Sequence, residues 1–158
     1  MSETHLAYLN LGSNIQPETN LLKAVELLSK YGEILKTSNV WESEAVGTHG
    51  PNYLNVCILF RSIFAQNELK EQVTRRIEAQ LGRQRTADKY SPRSMDIDIV
   101  LFDDRPAPGD FWELAYVVVP LAEIYPELRN PVSDEQVSET ASRLRQTAWL
   151  EKRQGVLD

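Results

Sequence analysis

A second cysteine, a long apolar run and an excess of basic residues are all missing from this sequence. Cys57 is the single cysteine, so no internal disulfide can form and a reducing compartment is permitted. No run of about 18 apolar residues offers a membrane span, and the first residues lack the basic and then apolar pattern of a secretory signal. These absences predict a cytoplasmic protein with no membrane partner.

Basic residues are outnumbered, since 17 Lys and Arg stand against 23 Asp and Glu and the net charge is -6. Nucleic acids bind mainly through excess Lys and Arg, so the composition argues against a nucleic-acid partner. With 42% hydrophobic and 25% charged residues in 158 positions, the chain has the profile of an ordinary folded domain. No repeat, low-complexity tract or long linker divides it, so residues 1–158 are predicted to form a single domain, which we expect to be a monomer.

Hydrophobic periodicity predicts the order strand, helix, strand, strand, helix, strand. The strands fall at residues 5–11, 34–41, 53–63 and 95–102, and the helices fall at residues 17–31 and 67–81. The valine-rich residues 116–119 predict a further strand end, and residues 134–149 predict a polar C-terminal helix. This order is typical of the α+β ferredoxin-like sandwich, in which helices pack on one face of an antiparallel sheet.

The strand at residues 95–102 carries two carboxylates. Side chains two apart on a strand face the same way, so Asp96 and Asp98 are predicted to lie side by side. A hard divalent cation such as Mg²⁺ would offset their repulsion, and Arg93 could meet a phosphate oxygen nearby. The alternative is that both carboxylates simply occupy the solvated face of a half-exposed strand.

Basic residues cluster before this strand, around Glu78, at Arg75, Arg76, Arg83, Arg85 and Lys89. In a chain with a negative net charge, such clustering suggests an anionic ligand such as a nucleoside triphosphate. A solvated helix face with a basic end is the alternative.

An aromatic ring and an amide follow a Gly and Pro-containing loop, as Tyr53 and Asn55. A tyrosine ring can stack on a flat ligand, while an asparagine offers a donor and an acceptor to ring edges. A core tyrosine beside a turn asparagine would give the same pattern.

Four sequence blocks occur together in an order that resembles the 6-hydroxymethyl-7,8-dihydropterin pyrophosphokinase family. They are LNLGSN at residues 9–14, YLN at residues 53–55, RIE at residues 76–78 and PRSMDIDIVLF at residues 92–102. PLAEI at residues 120–124 extends the similarity. The resemblance implies a ferredoxin-like fold and transfer of pyrophosphate from ATP to the pterin hydroxymethyl group in folate biosynthesis, with release of AMP.

The resemblance also implies roles for individual residues. It implies two Mg²⁺ ions bound with ATP by Asp96 and Asp98, and a catalytic set of Arg83, Arg93, Asp96 and Asp98. The implied pterin-binding residues are Ser43, Val46, Tyr53, Asn55 and Tyr116. The implied ATP-binding residues are Arg75, Glu78, Arg83, Arg85, Tyr90, Arg93 and Ile99.

The segment at residues 103–119 departs most from the family pattern. It is short, it contains no His, and Arg105 is its only basic residue, with Leu114 where the family carries an Arg. Glu44 also lies in a pterin-side segment that is usually rich in Pro, and Tyr90 replaces a frequent Trp. A charge-assisted phosphate contact is worth roughly 1.5–3 kcal/mol, so this segment predicts weaker binding of ATP than of pterin.

Two functional hypotheses follow. The first is an active pyrophosphokinase in which Arg75, Arg85 or Lys89 compensates for the short segment. The second is a catalytically weakened or inactive relative that binds a pterin or a nucleotide. Arg105 either reaches the phosphates or caps a turn between Asp104 and Pro106.

Overall fold

The computed structural model of the chain describes residues 3–45, 50–83 and 93–158. The first half contains strand β1 (His5–Ser13), helix α1 (Pro17–Leu28) and strands β2 (Glu33–Thr37), β3 (Val40–Ser43) and β4 (Tyr53–Ser62). A continuous helix follows, formed by α2 (Gln66–Glu68), a π-helical stretch (Leu69–Thr74) and α3 (Arg75–Gln80). The second half contains β5 (Asp96–Phe102), β6 (Arg105–Pro106), a 3-10 helix (Phe111–Glu113), α4 (Ala115–Ile124), α5 (Val137–Leu144) and β7 (Leu150–Arg153).

These strands form one sheet in the order β6-β5-β1-β4-β3-β7, with β2 also paired to β4. Every pairing between the named strands is antiparallel. The predicted strand at residues 34–41 is two strands that break at Ser38 and Asn39. The Ser38 backbone N–H donates to the Cys57 carbonyl at 2.9 Å, but the Ser38 Oγ rather than a backbone carbonyl accepts from the Cys57 N–H, also at 2.9 Å. The predicted antiparallel α+β architecture is confirmed.

Helices cover both faces of the sheet, so the expectation that they pack on one face was incomplete. On one face, Leu9, Leu11, Val56 and Ile58 pack against α1 and the helix at residues 66–80. On the other face, α4 and α5 pack against a second core cluster that includes Trp41, Cys57 and Trp112. Strand side chains alternate between the two faces, so both sides of the central strands are apolar over much of their length.

The predicted strand end at residues 116–119 was wrong, because these residues belong to α4. Val117, Val118 and Val119 are all buried, and Pro120 lies inside the helix. β-branched residues and a following proline both argue against a helix when the sequence is considered alone. Here α4 is buried on several sides between the sheet and α5, and this tertiary packing overrides a weak local propensity.

The C-terminal region also differs from its prediction. Helix α5 is shorter than the predicted range 134–149, and β7 follows it and pairs with β3 at the edge of the sheet. The Arg153 guanidinium forms an ion pair with Glu42 of β3 at 2.9 Å. In the described ranges, none of the helices has the length and apolarity needed to cross a membrane.

Candidate active site

The register of the central strands lines up polar residues on the face that carries α4. Gly12 of β1 pairs with Asp96 of β5 and with Asn55 of β4, and Asn10 pairs with Asp98. Because alternate residues of a strand share a face, these side chains form the floor of one site. Above the floor lies a cavity of about 380 Å³ lined by Asn10, Gly12, Ser43, Glu44, Tyr53, Asn55, Arg93, Asp96, Asp98, Asp110, Phe111, Leu114 and Tyr116. We call it the first cavity.

Asp96 is held by two arginines. Arg83 Nη1 donates to one carboxylate oxygen at 2.8 Å, and Arg93 Nη1 donates to the other at 3.1 Å. Arg83 also pairs with Glu78 at 2.9 Å, and its side chain is only 9% exposed. Glu78 in turn accepts a hydrogen bond from the Ile97 backbone N–H at 2.8 Å. The helix that carries Glu78 therefore fixes Arg83, and Arg83 fixes Asp96.

Asp98 has a different electrostatic environment. Burial first, and then the charges of Asp96 and Glu78, raise its pKa to about 7. Although Arg83 and Arg93 hold Asp96, the pKa of Asp98 stays raised, so the carboxylate pair still favours a further cation. Among the described residues, no group of three or more acidic, His or Cys side chains could hold a metal ion. These two carboxylates could hold divalent cations that take their other oxygens from a phosphate ligand and water, as Mg²⁺ commonly does.

Asn55 and Ser43 are locked together at the side of the first cavity. Asn55 Nδ2 donates to Ser43 Oγ at 2.8 Å and to the Trp41 carbonyl at 3.3 Å, so β4 and β3 hold this amide in one orientation. Gly12 allows the close approach on the other side, because a Cβ there would lie 3.1 Å from Asn55 Oδ1. The side chains of Asn55 and Ser43 therefore form a rigid polar edge of the first cavity, beside the aromatic ring of Tyr53.

Two tyrosines reach the first cavity from different elements. Tyr53 begins β4, and Tyr116 lies in the first turn of α4. Burial raises the pKa of Tyr116 to about 12, helped by the charges of Asp98 and Asp96, and burial also raises the pKa of Tyr53. Both phenols are therefore neutral at physiological pH and present flat, uncharged rings. Helix α4 is anchored to β3, since Trp41 Nε1 donates to Glu123 at 2.6 Å.

A second cavity of about 500 Å³ lies between the helix at residues 66–80, β5 and the segment before α4. Its lining residues are Gln66, Asn67, Lys70, Thr74, Ile97, Asp98, Ile99, Ala107, Pro108 and Phe111. Asp98 and Phe111 line both cavities. The two cavities therefore meet at one of the paired carboxylates.

Most of the predicted site residues come together, but some do not. Ser43, Tyr53, Asn55, Arg93, Asp96, Asp98 and Tyr116 line the first cavity, and Ile99 lines the second. Arg83 contacts Asp96 from below. Glu78 is buried beneath the site, whereas Arg75 lies on the surface and pairs with Glu71 at 3.3 Å. The predictions for Val46, Arg85 and Tyr90, together with Lys89, fall outside the described residues.

Asn10, Asp110 and Phe111 were not predicted as site residues. Asn10 had a detectable signal, because it is a polar residue two positions before Gly12 in an otherwise apolar strand and so shares its face. Asp110 and Phe111 lie in the short segment before α4, where no periodic pattern marks which side chains turn inward.

The short segment before α4 is pinned at several points. The Ala107 backbone N–H donates to the Val100 carbonyl at 2.9 Å, and Trp112 Nε1 donates to the Ala107 carbonyl at 3.0 Å. Asn130 Nδ2 donates to the Trp112 carbonyl at 3.0 Å, and the Trp112 side chain is buried. Phe111 is thus held against both cavities.

Arg105 lies away from the paired carboxylates. It is exposed and pairs with Phe102 in the β5–β6 hairpin. Phe102 lies six positions after Asp96 along β5, which corresponds to about 20 Å of strand. Of the two alternatives for Arg105, this position favours the turn role.

We therefore expect Arg105→Ala to leave the KM for ATP within about twofold of the parent value, because surface substitutions away from a site have small effects. Steady-state kinetics across an ATP titration would measure this. A several-fold rise in KM, with the KM for pterin unchanged, would show that Arg105 reaches the nucleotide.

Comparisons with known proteins identify the family of this chain. The family model described as 7,8-dihydro-6-hydroxymethylpterin-pyrophosphokinase (HPPK) matches residues 8–126. The 2-amino-4-hydroxy-6-hydroxymethyldihydropteridine pyrophosphokinase of Aquifex aeolicus is 34% identical over 142 residues, covering 84% of this chain and 88% of the relative. The protein of the same name from Synechocystis sp. is 32% identical over 158 residues, covering 92% of this chain and 80% of the relative.

A solved structure supports the fold. The crystal structure of Plasmodium falciparum HPPK-DHPS with pterin and p-hydroxybenzoate superposes with a TM-score of 0.71 at 13% identity. The superposition covers 92% of this chain but only 45% of that one, so this chain spans less than half of the HPPK-DHPS protein. With a family match over most of its length and relatives above 30% identity, the chain belongs to the 7,8-dihydro-6-hydroxymethylpterin-pyrophosphokinase (HPPK) family.

Proposed function

We propose that this chain transfers the β,γ-pyrophosphoryl group of ATP to the hydroxymethyl oxygen of 6-hydroxymethyl-7,8-dihydropterin and releases AMP, at the point where its two cavities meet. Family membership supports the reaction. One observation supports this location for the reaction: Asp98 lines both cavities, so a ligand in each cavity would approach the same carboxylate.

The pterin occupies the first cavity in this proposal. Tyr53 and Tyr116 present uncharged rings to it, and aromatic stacking suits a flat heterocycle. The fixed amide of Asn55, oriented by Ser43, supports recognition of the hydrogen-bonding edge of the pterin.

ATP occupies the second cavity, with its phosphates directed towards Asp96 and Asp98. Ile99 offers an apolar wall, while Asn67, Lys70 and Thr74 offer polar groups. Arg93 is more exposed than Arg83, with 25% against 9% of the side chain accessible. Arg93 is therefore the better candidate to donate to a phosphate oxygen, while Arg83 stays buried and keeps Asp96 in place.

Two Mg²⁺ ions fit this donor set, because hard cations prefer oxygen ligands and the carboxylate pair needs positive charge. Asp96 and Asp98 would hold them, and bound Mg²⁺ would neutralise phosphate charge and ease loss of the acceptor proton. Beyond that, the chain's own residues orient the two substrates and exclude water. No separate base is needed in this proposal.

A single assay tests the proposed function. Purified protein is mixed with ATP, MgCl₂ and 6-hydroxymethyl-7,8-dihydropterin, and release of AMP is followed with and without pterin. Pterin-dependent AMP release from the parent and its loss in Asp98→Asn support the proposal. Binding of both ligands by calorimetry with no AMP above background would instead support the catalytically inactive relative.

A single species in analytical ultracentrifugation at the mass of one chain would support the monomer.

Removing either tyrosine ring should weaken pterin binding and spare ATP binding. We expect Tyr53→Ala and Tyr116→Ala to raise the Kd for pterin by roughly 10-fold or more, since stacking adds about 0.5–1.5 kcal/mol to the loss of buried area. Tyr53→Phe and Tyr116→Phe keep the rings and should bind pterin within about threefold of the parent. Calorimetric titrations with each ligand would measure these constants. Equal losses for pterin and ATP would contradict the assignment of these rings to the pterin.

A further inference from the structure

Asn10 is a buried polar residue that the proposed reaction has not yet used. It is only 3% exposed, and its Oδ1 has no hydrogen-bond partner within residues 3–45, 50–83 and 93–158. An unsatisfied buried polar atom destabilises the fold, and such atoms in native proteins call for an explanation. An apolar residue at this position of β1 would avoid that cost.

The neighbours of Asn10 suggest what the missing partner is. Asn10 lines the first cavity and pairs across the ladder with Asp98. Directly opposed residues of an antiparallel pair have Cβ atoms about 4.5–5.5 Å apart, so their polar ends are close. The amide oxygen and an ionised carboxylate are both hydrogen-bond acceptors, so neither satisfies the other without a positive group or a proton donor between them.

We propose that Asn10 Oδ1 accepts a hydrogen bond from the water shell of the divalent cation held by Asp98, and that Asn10 is a positioning residue for this cation. The torsion that turns a side-chain amide is broad, so Oδ1 can rotate towards Asp98 when the cation binds. Mg²⁺ gives up its water reluctantly and usually keeps several molecules, and each one is a strong donor. The inference rests on the proposed magnesium site.

The test uses Mn²⁺ in place of Mg²⁺, because free Mn²⁺ can be counted by its electron paramagnetic resonance signal. Parent and variants are titrated with Mn²⁺ at pH 8 in the presence of α,β-methylene-ATP, which cannot be cleaved at the reacting bond. Asn10→Leu and Asn10→Ala lack the oxygen and are expected to weaken Mn²⁺ binding about 3- to 10-fold, the effect of one lost water-mediated contact. Asn10→Asp keeps an oxygen there and is expected to bind Mn²⁺ at least as tightly as the parent.

Thermal unfolding without metal separates this role from a purely structural one. Asn10→Leu removes the unsatisfied oxygen and should match or exceed the parent in Tm, whereas Asn10→Asp adds a further negative charge beside Asp98 and should lower the Tm. Stability and metal affinity are therefore expected to change in opposite directions. A residue that only supported the fold would move both in the same direction.

Ser94 provides a matched control. It is buried, its Oγ likewise has no partner in the described part of the chain, and it does not line the first cavity. Ser94→Ala should leave Mn²⁺ affinity unchanged. Two outcomes would overturn the role of Asn10 but leave the magnesium site standing. One is that Asn10→Leu binds Mn²⁺ as tightly as the parent, and the other is that Asn10→Asp binds Mn²⁺ as weakly as Asn10→Leu. Absence of Mn²⁺ binding by the parent overturns the magnesium site itself, and the role of Asn10 with it.

Discussion

Asp98→Asn is expected to abolish pyrophosphoryl transfer while making the metal-free protein more stable. Loss of a preorganised charge at the reacting centre commonly lowers kcat by about 10²–10³-fold, and loss of a metal ligand should do at least this. The stability gain follows from the pKa of Asp98, which burial first and then the charges of Asp96 and Glu78 raise from 3.8 to about 7.

The sign of this effect depends on pH. A carboxyl whose pKa is higher in the folded state favours folding when protonated, so its ionisation progressively destabilises the fold from about pH 4 to about pH 7. Asparagine removes that penalty. Above pH 7 in EDTA, we expect the Tm of Asp98→Asn to exceed that of the parent by a few degrees, and at pH 4 the two should agree.

Asp96→Asn is the matched comparison, because its carboxylate is held by Arg83 and Arg93. This variant should also be inactive, but its Tm should stay level or fall, since a neutral amide leaves two arginines with weaker partners. Scanning calorimetry across pH and the AMP assay measure both effects. Near-normal magnesium-dependent turnover in Asp98→Asn would rule out the metal role, and a Tm difference that does not change with pH would rule out the electrostatic cause.

Arg83→Ala should cause the largest loss of stability among the site variants. Arg83 lies between Glu78 and Asp96 at 2.9 Å and 2.8 Å, and its side chain is only 9% exposed. Removing one member of a buried ion pair costs about 3–5 kcal/mol, because the remaining charge stays away from water. Activity should fall as well, since Asp96 loses the contact that orients it.

A double variant separates the two consequences of losing Arg83. Glu78→Gln with Arg83→Met removes both charges of the Glu78–Arg83 pair. This double variant should recover much of the stability, because a buried pair can be replaced by neutral groups at little net cost. It should not recover activity. Arg75→Ala is the surface control, and its change should lie within about 1 kcal/mol, as is usual for an exposed ion pair. Urea unfolding measures all three, and an Arg83→Ala variant as stable as the parent would contradict this account.

The parts of the site that follow from local periodicity were predictable from the sequence. A strand repeats every two residues, so the spacing of Asp96 and Asp98 determines that they share a face, wherever β5 lies. Tyr116 was identified through family resemblance, although its segment was predicted as a strand end. The segment is helical because the sheet and α5 bury the valines of α4. Burial of that kind depends on residues far away in the chain.

The parts that depend on pairing between distant segments were not predictable. Asn10 faces Asp98 only because β1 and β5 adopt one register, and the sequence does not specify which of their residues meet. Glu78 and Arg75 lie three positions apart on one helix, yet one is buried under the site and the other faces solvent. The sequence shows that these charged residues are close together along the chain. Which of them reach the site depends on which face of the helix packs against the sheet.

The pairing of β3 with β7 has a consequence for the order of folding. Val40 pairs with Arg153, about 110 positions away, whereas β1 and β4 join residues such as Leu11 and Val56, about 45 positions apart. Closing a longer loop costs more chain entropy, and non-local strand pairs form slowly. We therefore expect β7 to be the last strand to join the sheet, after the local pairing of β3 with β4 has placed Ser43 beside the Asn55 amide. Because a ligand stabilises the state that binds it, pterin should then stabilise a sheet whose cavity forms before the C-terminal strand joins its edge.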